Sequence, residues 1–123
     1  MEKKIYHKEL AAGRWKELSF IEQMGNIGSE VGRAFRYFKE RDEQRFSIAF
    51  EMAMELFELT LQDERWVGLN TEKEVIRTRD LFCTLVKNTG LTNELEKEMN
   101  SLDDYFLWYG ALANEIRYRS RNS

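Results

Sequence analysis

The sequence predicts an all-α protein, an up-down-up-down four-helix bundle with a short N-terminal leader. Apolar residues recur at steps of three and four over long stretches, as they do on one face of an α-helix. The 123 residues include no proline, and short polar turns separate the apolar stretches. We expect the leader over residues 1–18, the bundle over residues 19–119 and a C-terminal tail over residues 120–123.

The first helix is predicted to begin at a capping box formed by Ser19 and Glu22. Its main apolar stripe is Ile21, Met24, Gly28, Val31, Phe35 and Phe38. A second stripe with the same spacing has almost no side chains: Gly25, Ser29 and Gly32. Because an interior glycine costs about 0.8–1.0 kcal/mol relative to alanine, we expect this stripe to let another helix approach closely. We also place these three residues at a subunit interface. The alternative is a flexible backbone or one that a ligand approaches.

The second predicted helix, residues 43–62, is apolar over more than half of its circumference. Asp42 caps it after a very short turn at Arg41. A helix with so wide an apolar surface is either central in the fold or buried on two sides. Since a four-helix bundle covers one side, we expect the surplus side chains to form a subunit interface: Ile48, Met52 and Leu59.

The third helix is predicted over residues 72–88, with Thr71 and Glu74 as its capping box. Cys83 lies among apolar neighbours, which favours a small buried hydrophobe over a reactive thiol. A single cysteine cannot form an internal disulfide, and its presence fits a reducing compartment.

The last region is predicted as a polar turn of helix over residues 93–99, followed by a fourth helix that restarts at Ser101. Asp104 completes the capping pattern of that restart. Leu107 and Trp108 lie off its apolar stripe. We therefore expect at least one of them to be exposed or covered by a partner.

The chain ends with arginines around an aromatic residue: Arg117, Tyr118, Arg119 and Arg121. Cations at a helix C-terminus are favoured by the helix dipole. The alternative is a basic patch that binds RNA, for which the three arginines are the candidate residues. A net charge of −3 argues against a dominant nucleic-acid surface.

The sequence lacks the residues that most kinds of catalytic site need. The chain's one histidine, His7, lies in the polar leader and is expected to be solvated. Di-iron bundles need Glu-x-x-His pairs, and nucleophilic catalysis needs a partnered histidine. We expect no catalytic residue, metal or cofactor. No apolar run reaches the roughly 18 residues that span a membrane, and no signal peptide is visible, so we expect a cytoplasmic protein with no membrane partner.

One enzyme hypothesis remains. Glu55 and Glu58 form a Glu-x-x-Glu pair that resembles half of the magnesium site of the all-α nucleoside triphosphate pyrophosphohydrolases. Those enzymes need a second acidic pair from a later helix. Asp103, Asp104 and Glu115 do not supply it at a matching spacing. Magnesium-dependent nucleotide hydrolysis is therefore the alternative function.

The segment with Asn26, Ile27, Glu30 and Gly32 resembles the Asn-Ile-small-Glu-Gly signature of the four-helix-bundle proteins encoded in rRNA intervening sequences. That group is similar in architecture to the accessory variability determinant (Avd) proteins of diversity-generating retroelements. The resemblance implies a non-enzymatic bundle that forms a ring-like homo-oligomer, pentameric in the known cases. In the Avd branch it implies binding to a reverse transcriptase and nucleic acid. We therefore expect an oligomeric accessory or scaffold protein.

Overall fold

A computed structural model of the chain describes residues 4–122. Residues 1–3 of the predicted leader and residue 123 of the predicted tail lie outside this range. One helical turn, α1 (Lys8–Ala11), and one 3-10 turn (Arg14–Glu17) precede four long helices. These are α2 (Phe20–Lys39), α3 (Glu43–Leu61), α4 (Asn70–Leu85) and α5 (Asn93–Arg121). The predicted fold class, an all-α four-helix bundle, is confirmed.

The two predicted helix starts at α2 and α3 are confirmed by their caps. The Glu22 amide donates to Ser19 Oγ at 3.1 Å, and the Ser19 amide donates back to Glu22 Oε1 at 3.2 Å. At α3, the Arg45 amide donates to Asp42 Oδ1 at 3.1 Å. Between the helices Arg41 has a φ of 58°, a left-handed conformation that reverses the chain within three residues.

The core lies mainly where α2 packs between α3 and α5, while α4 closes the bundle. Three fully buried phenylalanines tie the other three helices together, since Phe57 of α3 contacts both Phe82 of α4 and Phe106 of α5. The ring centroids are 6.1 Å and 6.3 Å apart, within the range of favourable aromatic pairs. Because α2 packs against both α3 and α5, it is the central helix of the bundle.

Helix α4 starts differently from the prediction. It begins at Asn70, and the cap residue Leu69 makes no side-chain capping hydrogen bond. The predicted capping box of Thr71 and Glu74 is wrong because the Glu74 carboxylate is used elsewhere, by Arg77 and by the Tyr105 hydroxyl of α5. Packing against α5 thus overrides the local capping pattern.

Helix α5 is continuous over 29 residues, so the predicted restart at Ser101 is wrong. The segment predicted as a polar turn contains Leu95 and Met99, which are buried four residues apart. They continue into the buried stripe that starts at Leu102. Since these side chains attach the segment to the core, the helix needs no second N-terminus.

Candidate interaction surfaces

The small residues of α2 lie against α5 of the same chain. A Cβ atom built on Gly28 would lie 2.4 Å from Phe106 Cβ, a separation that atoms do not reach. One built on Gly25 would lie 3.2 Å from Gly110 Cα. The predicted close approach of another helix is therefore confirmed, and α5 is that helix.

The outer edge of this contact is open to solvent. Ser29 is exposed, and a Cβ atom built on Gly32 would lie 3.0 Å from Asp103 Oδ1. A shallow cleft of about 300 Å³ runs along the edge, with Leu107 at its α5 side. Packing within one chain already explains the glycines. Their role at a subunit interface stays a prediction.

The leader packs on α3 next to one end of the predicted interface. Trp15 is buried, and its indole donates to Thr60 Oγ1 at 2.9 Å. Leu59 is partly buried and packs against the core, and Met52 is also partly buried. Ile48 remains 46% exposed. The leader thus contacts α3 one residue from Leu59, and at the other end of the predicted interface Ile48 stays exposed.

His7 is not solvated, so that prediction is wrong. Its side chain is only 17% exposed, and its Nδ1 lies 2.8 Å from Glu55 Oε1 on α3. The Glu55 carboxylate also accepts from the backbone amides of Tyr6 at 2.9 Å and of His7 at 2.7 Å. Burial raises the pKa of Glu55, but these three hydrogen bonds together hold it below its usual range. The carboxylate therefore fastens the leader to the bundle.

A second buried carboxylate, Glu30 of α2, lies on the other side of this histidine. Glu30 Oε1 accepts from Arg33 at 2.8 Å and lies 3.9 Å from His7 Nε2. Glu30 Oε2 is buried and has no hydrogen-bond partner in the part of the chain that the structure describes. In the sequence, Glu30 is a glutamate beside the apolar stripe of α2. The pattern alone does not show whether such a glutamate is buried or on the surface.

The Glu-x-x-Glu pair of the enzyme hypothesis is divided between two environments. Glu55 is buried beneath the leader, whereas Glu58 is exposed. Both oxygens of Glu55 accept hydrogen bonds from the leader, so a magnesium ion that bound this carboxylate would have to displace the leader. Across residues 4–122 no group of three or more His, Cys, Asp or Glu side chains is arranged to hold a metal ion.

A buried polar network that the sequence analysis missed holds the other end of the leader. Gln23 Nε2 donates to the backbone oxygen of Trp15 at 2.9 Å and to Asp63 Oδ2 at 3.0 Å. Hydrogen bonds from the Arg65 guanidinium lower the pKa of Asp63 to about 2 against the effect of burial, and Gln23 adds to this lowering. The feature of the sequence that could have indicated this network is Gln23, a polar residue at a core-facing position of α2.

Helix α5 presents apolar side chains to solvent. Leu107 is 61% exposed and Trp108 is 60% exposed, which confirms the expectation that at least one of them is exposed or covered by a partner. Ala113 is the last buried residue of the helix, and residues 114–122 are all exposed. Tyr109 already contacts the ring of Phe20, the first residue of α2, so the end of α5 extends past its neighbour.

The three arginines of α5 do not form one patch. Residues on a helix are separated by about 100°, so Arg117 and Arg121 share a side and Arg119 faces the opposite way. Arg117 lies 3.9 Å from Glu22, and Arg119 pairs with Glu115 at 2.7 Å. Their assignment to nucleic acid stays a prediction.

None of the helices within residues 4–122 is long and apolar enough to cross a membrane. Comparison of the chain with protein-family models, with curated proteins and with solved structures finds no match. The resemblance of α2 to the rRNA intervening-sequence proteins therefore stays a prediction.

Proposed function

We propose that this chain is a self-associating four-helix bundle that acts by binding, as an accessory or scaffold protein, and not by catalysis. The observation that carries the proposal is the pair Leu107 and Trp108, adjacent and each about 60% exposed on a helix whose opposite face fills the core. Exposed apolar side chains grouped in this way mark interaction sites. A second copy of the chain would remove them from water.

The surroundings of Glu55 favour binding over magnesium chemistry. Its carboxylate holds the leader through two backbone amides and one imidazole. Glu55→Gln would loosen the leader in a binding protein, whereas in a pyrophosphohydrolase it would abolish magnesium-dependent nucleotide hydrolysis. Such hydrolysis by the wild type, lost in this variant, would favour the enzyme.

The finer proposal is that the homo-oligomer assists a nucleic-acid-processing partner such as a reverse transcriptase. It is supported by the resemblance of α2 and by the exposed end of α5, where Tyr118 lies among arginines. Replacing Arg117, Arg119 and Arg121 by alanine should weaken RNA binding and flatten its salt dependence. A wild-type protein that binds no RNA at low salt would remove this part of the proposal.

Self-association is tested by light scattering behind a sizing column. The proposal predicts a mass above the 14.7 kDa of one chain. Met52→Glu tests the surface predicted on α3: assembly there predicts a lower mass with an unchanged helical circular dichroism signal, and assembly elsewhere predicts the wild-type mass. A wild type that stays at 14.7 kDa at every concentration would contradict the proposed function.

A further inference from the structure

Helix α5 carries opposite charges on its two halves. Residues 93–104 contain five acidic residues and one lysine, a net charge of −4. Residues 105–111 contain no charged residue, and residues 112–121 contain three arginines and one glutamate, a net charge of +2. The helix is thus acidic at its start, uncharged in the middle and basic at its end.

The uncharged middle is also where apolar side chains reach solvent. At about 100° per residue, one side of α5 is formed by Asp104, Leu107, Ala111, Glu115 and Tyr118, and all five are exposed. Trp108 borders this side. The cleft between α2 and α5 adjoins Leu107 and is open to an incoming side chain. This exposed side of α5, from Asp104 to Tyr118, is called the outer α5 face below.

We propose that the outer α5 face pairs with the same face of a second copy, with the two helices antiparallel and a twofold axis near Ala111. In this orientation the acidic half of each helix lies along the basic half of the other. Asp104 then lies opposite Tyr118 and within one residue of Arg119 on the same flank of the pair. Asp103 lies on the other flank, within two residues of Arg121 of the second copy. A parallel pair would instead set like charges against each other, which is unfavourable.

The inference rests on the proposed self-association and names its surface. A twofold contact is isologous, since each copy contributes the same residues, and it closes on itself as a dimer. Assemblies built through it contain an even number of chains. This differs from the pentamer that the resemblance of α2 implies.

The first test compares two variants that each add one charge at an equally exposed apolar residue. Leu107 is 61% exposed on the outer α5 face, and Val67 is 60% exposed in the connection between α3 and α4. Leu107→Glu should raise the dimer dissociation constant at least tenfold in sedimentation equilibrium. Val67→Glu should leave it unchanged. Circular dichroism shows that both variants keep their helices, and Ala111→Glu replaces Leu107→Glu if that chain does not fold.

The results separate the inference from the proposed function. Leu107→Glu and Ala111→Glu variants that dimerise as tightly as the wild type would overturn the pairing of α5, while self-association itself would stand. An odd number of chains in the wild-type assembly would do the same. A wild type that is monomeric at every concentration would overturn both.

The direction of pairing is tested by cross-linking in a Cys83→Ser background with a short bis-maleimide reagent. Packed helices lie about 8–10 Å apart, so Ala111→Cys should cross-link to itself at the twofold axis. Tyr118 is seven residues from Ala111, so two antiparallel copies hold Tyr118 about 21 Å apart along the helix, and Tyr118→Cys should not cross-link to itself. Efficient self-linking of Tyr118→Cys would indicate a parallel pair and overturn the proposal.

Discussion

The contact between α2 and α5 is most sensitive at Gly28. An alanine there places its Cβ atom 2.4 Å from Phe106 Cβ and 3.0 Å from Phe106 Cγ. Carbon atoms that are not bonded approach to about 3.5–4.0 Å, so the two helices must move apart by about 1 Å. Phe106 is fully buried and packs on Phe57, and rotation of its side chain does not move its Cβ atom away from residue 28.

Two opposing effects determine how much Gly28→Ala changes the free energy of unfolding. Alanine improves helix propensity over glycine by about 0.8–1.0 kcal/mol. Overfilling a packed core costs about 1–3 kcal/mol, and the short distance to a Cβ atom places Gly28→Ala at the upper end. We therefore expect Gly28→Ala to lower the free energy of unfolding by about 2 kcal/mol.

The chain offers a matched control on the facing helix. A Cβ atom built on Gly110 meets no atom within 4 Å, so Gly110→Ala should gain the propensity term alone and raise the stability by about 1 kcal/mol. Urea unfolding of both variants at one protein concentration measures the two changes. If Gly28→Ala is as stable as the wild type, α2 and α5 do not pack as described.

Three further predictions concern the leader and the turns. Asp63 has a folded-state pKa of about 2, below its ordinary 3.8, so its stabilising effect is complete above about pH 4 and is lost as the pH falls toward 2. The stability difference between wild type and Asp63→Asn should shrink over that range in pH-dependent urea unfolding, and a constant difference would contradict the ion pair. Arg41→Gly should stabilise the chain by about 0.5 kcal/mol in the same assay, because relief of a left-handed residue exceeds the added unfolded-state entropy of glycine. Glu55→Gln should speed hydrogen exchange of the Tyr6 and His7 amides at least tenfold, and unchanged protection would show that Glu55 does not hold the leader.

The parts of the fold that sequence predicts well are the local ones. The capping box at Ser19 and the cap at Asp42 involve residues three apart, and each is present in the structure. The helical period of apolar residues predicts α3 over residues 43–62, one residue longer than in the structure. Such signals depend on neighbouring residues, so they do not require knowledge of the tertiary contacts.

The errors arose where distant residues decide the structure. His7 lies in a polar segment, which predicts a solvated side chain. The residue that binds it, Glu55, is 48 residues away in the sequence. Glu74, the glutamate of the expected capping box at α4, accepts a hydrogen bond from Tyr105, 31 residues later. The segment before Ser101 is polar in composition, and the burial of Leu95 and Met99 is visible only once their stripe is extended into α5.

The candidate surface was predicted in part. Leu107 and Trp108 stand out from the sequence because they depart from an otherwise regular stripe, and both are exposed. The glycine stripe was recognised as a place of close approach, but a sequence cannot tell a helix of the same chain from one of another copy. The wide apolar surface of α3 predicts a subunit interface, and the sequence does not show that Trp15 of the leader also packs on this helix, at Thr60.

Assembly of this bundle through α5 would set its mass in solution and make that mass depend on Leu107. Light scattering over a range of concentrations should give a wild-type mass of 29.4 kDa, twice the 14.7 kDa of one chain, or a higher even multiple. At the same concentration the Leu107→Glu variant should give a lower mass than the wild type, with its helices intact. A wild type at 14.7 kDa throughout, or a Leu107→Glu variant with the wild-type mass, would contradict assembly through α5.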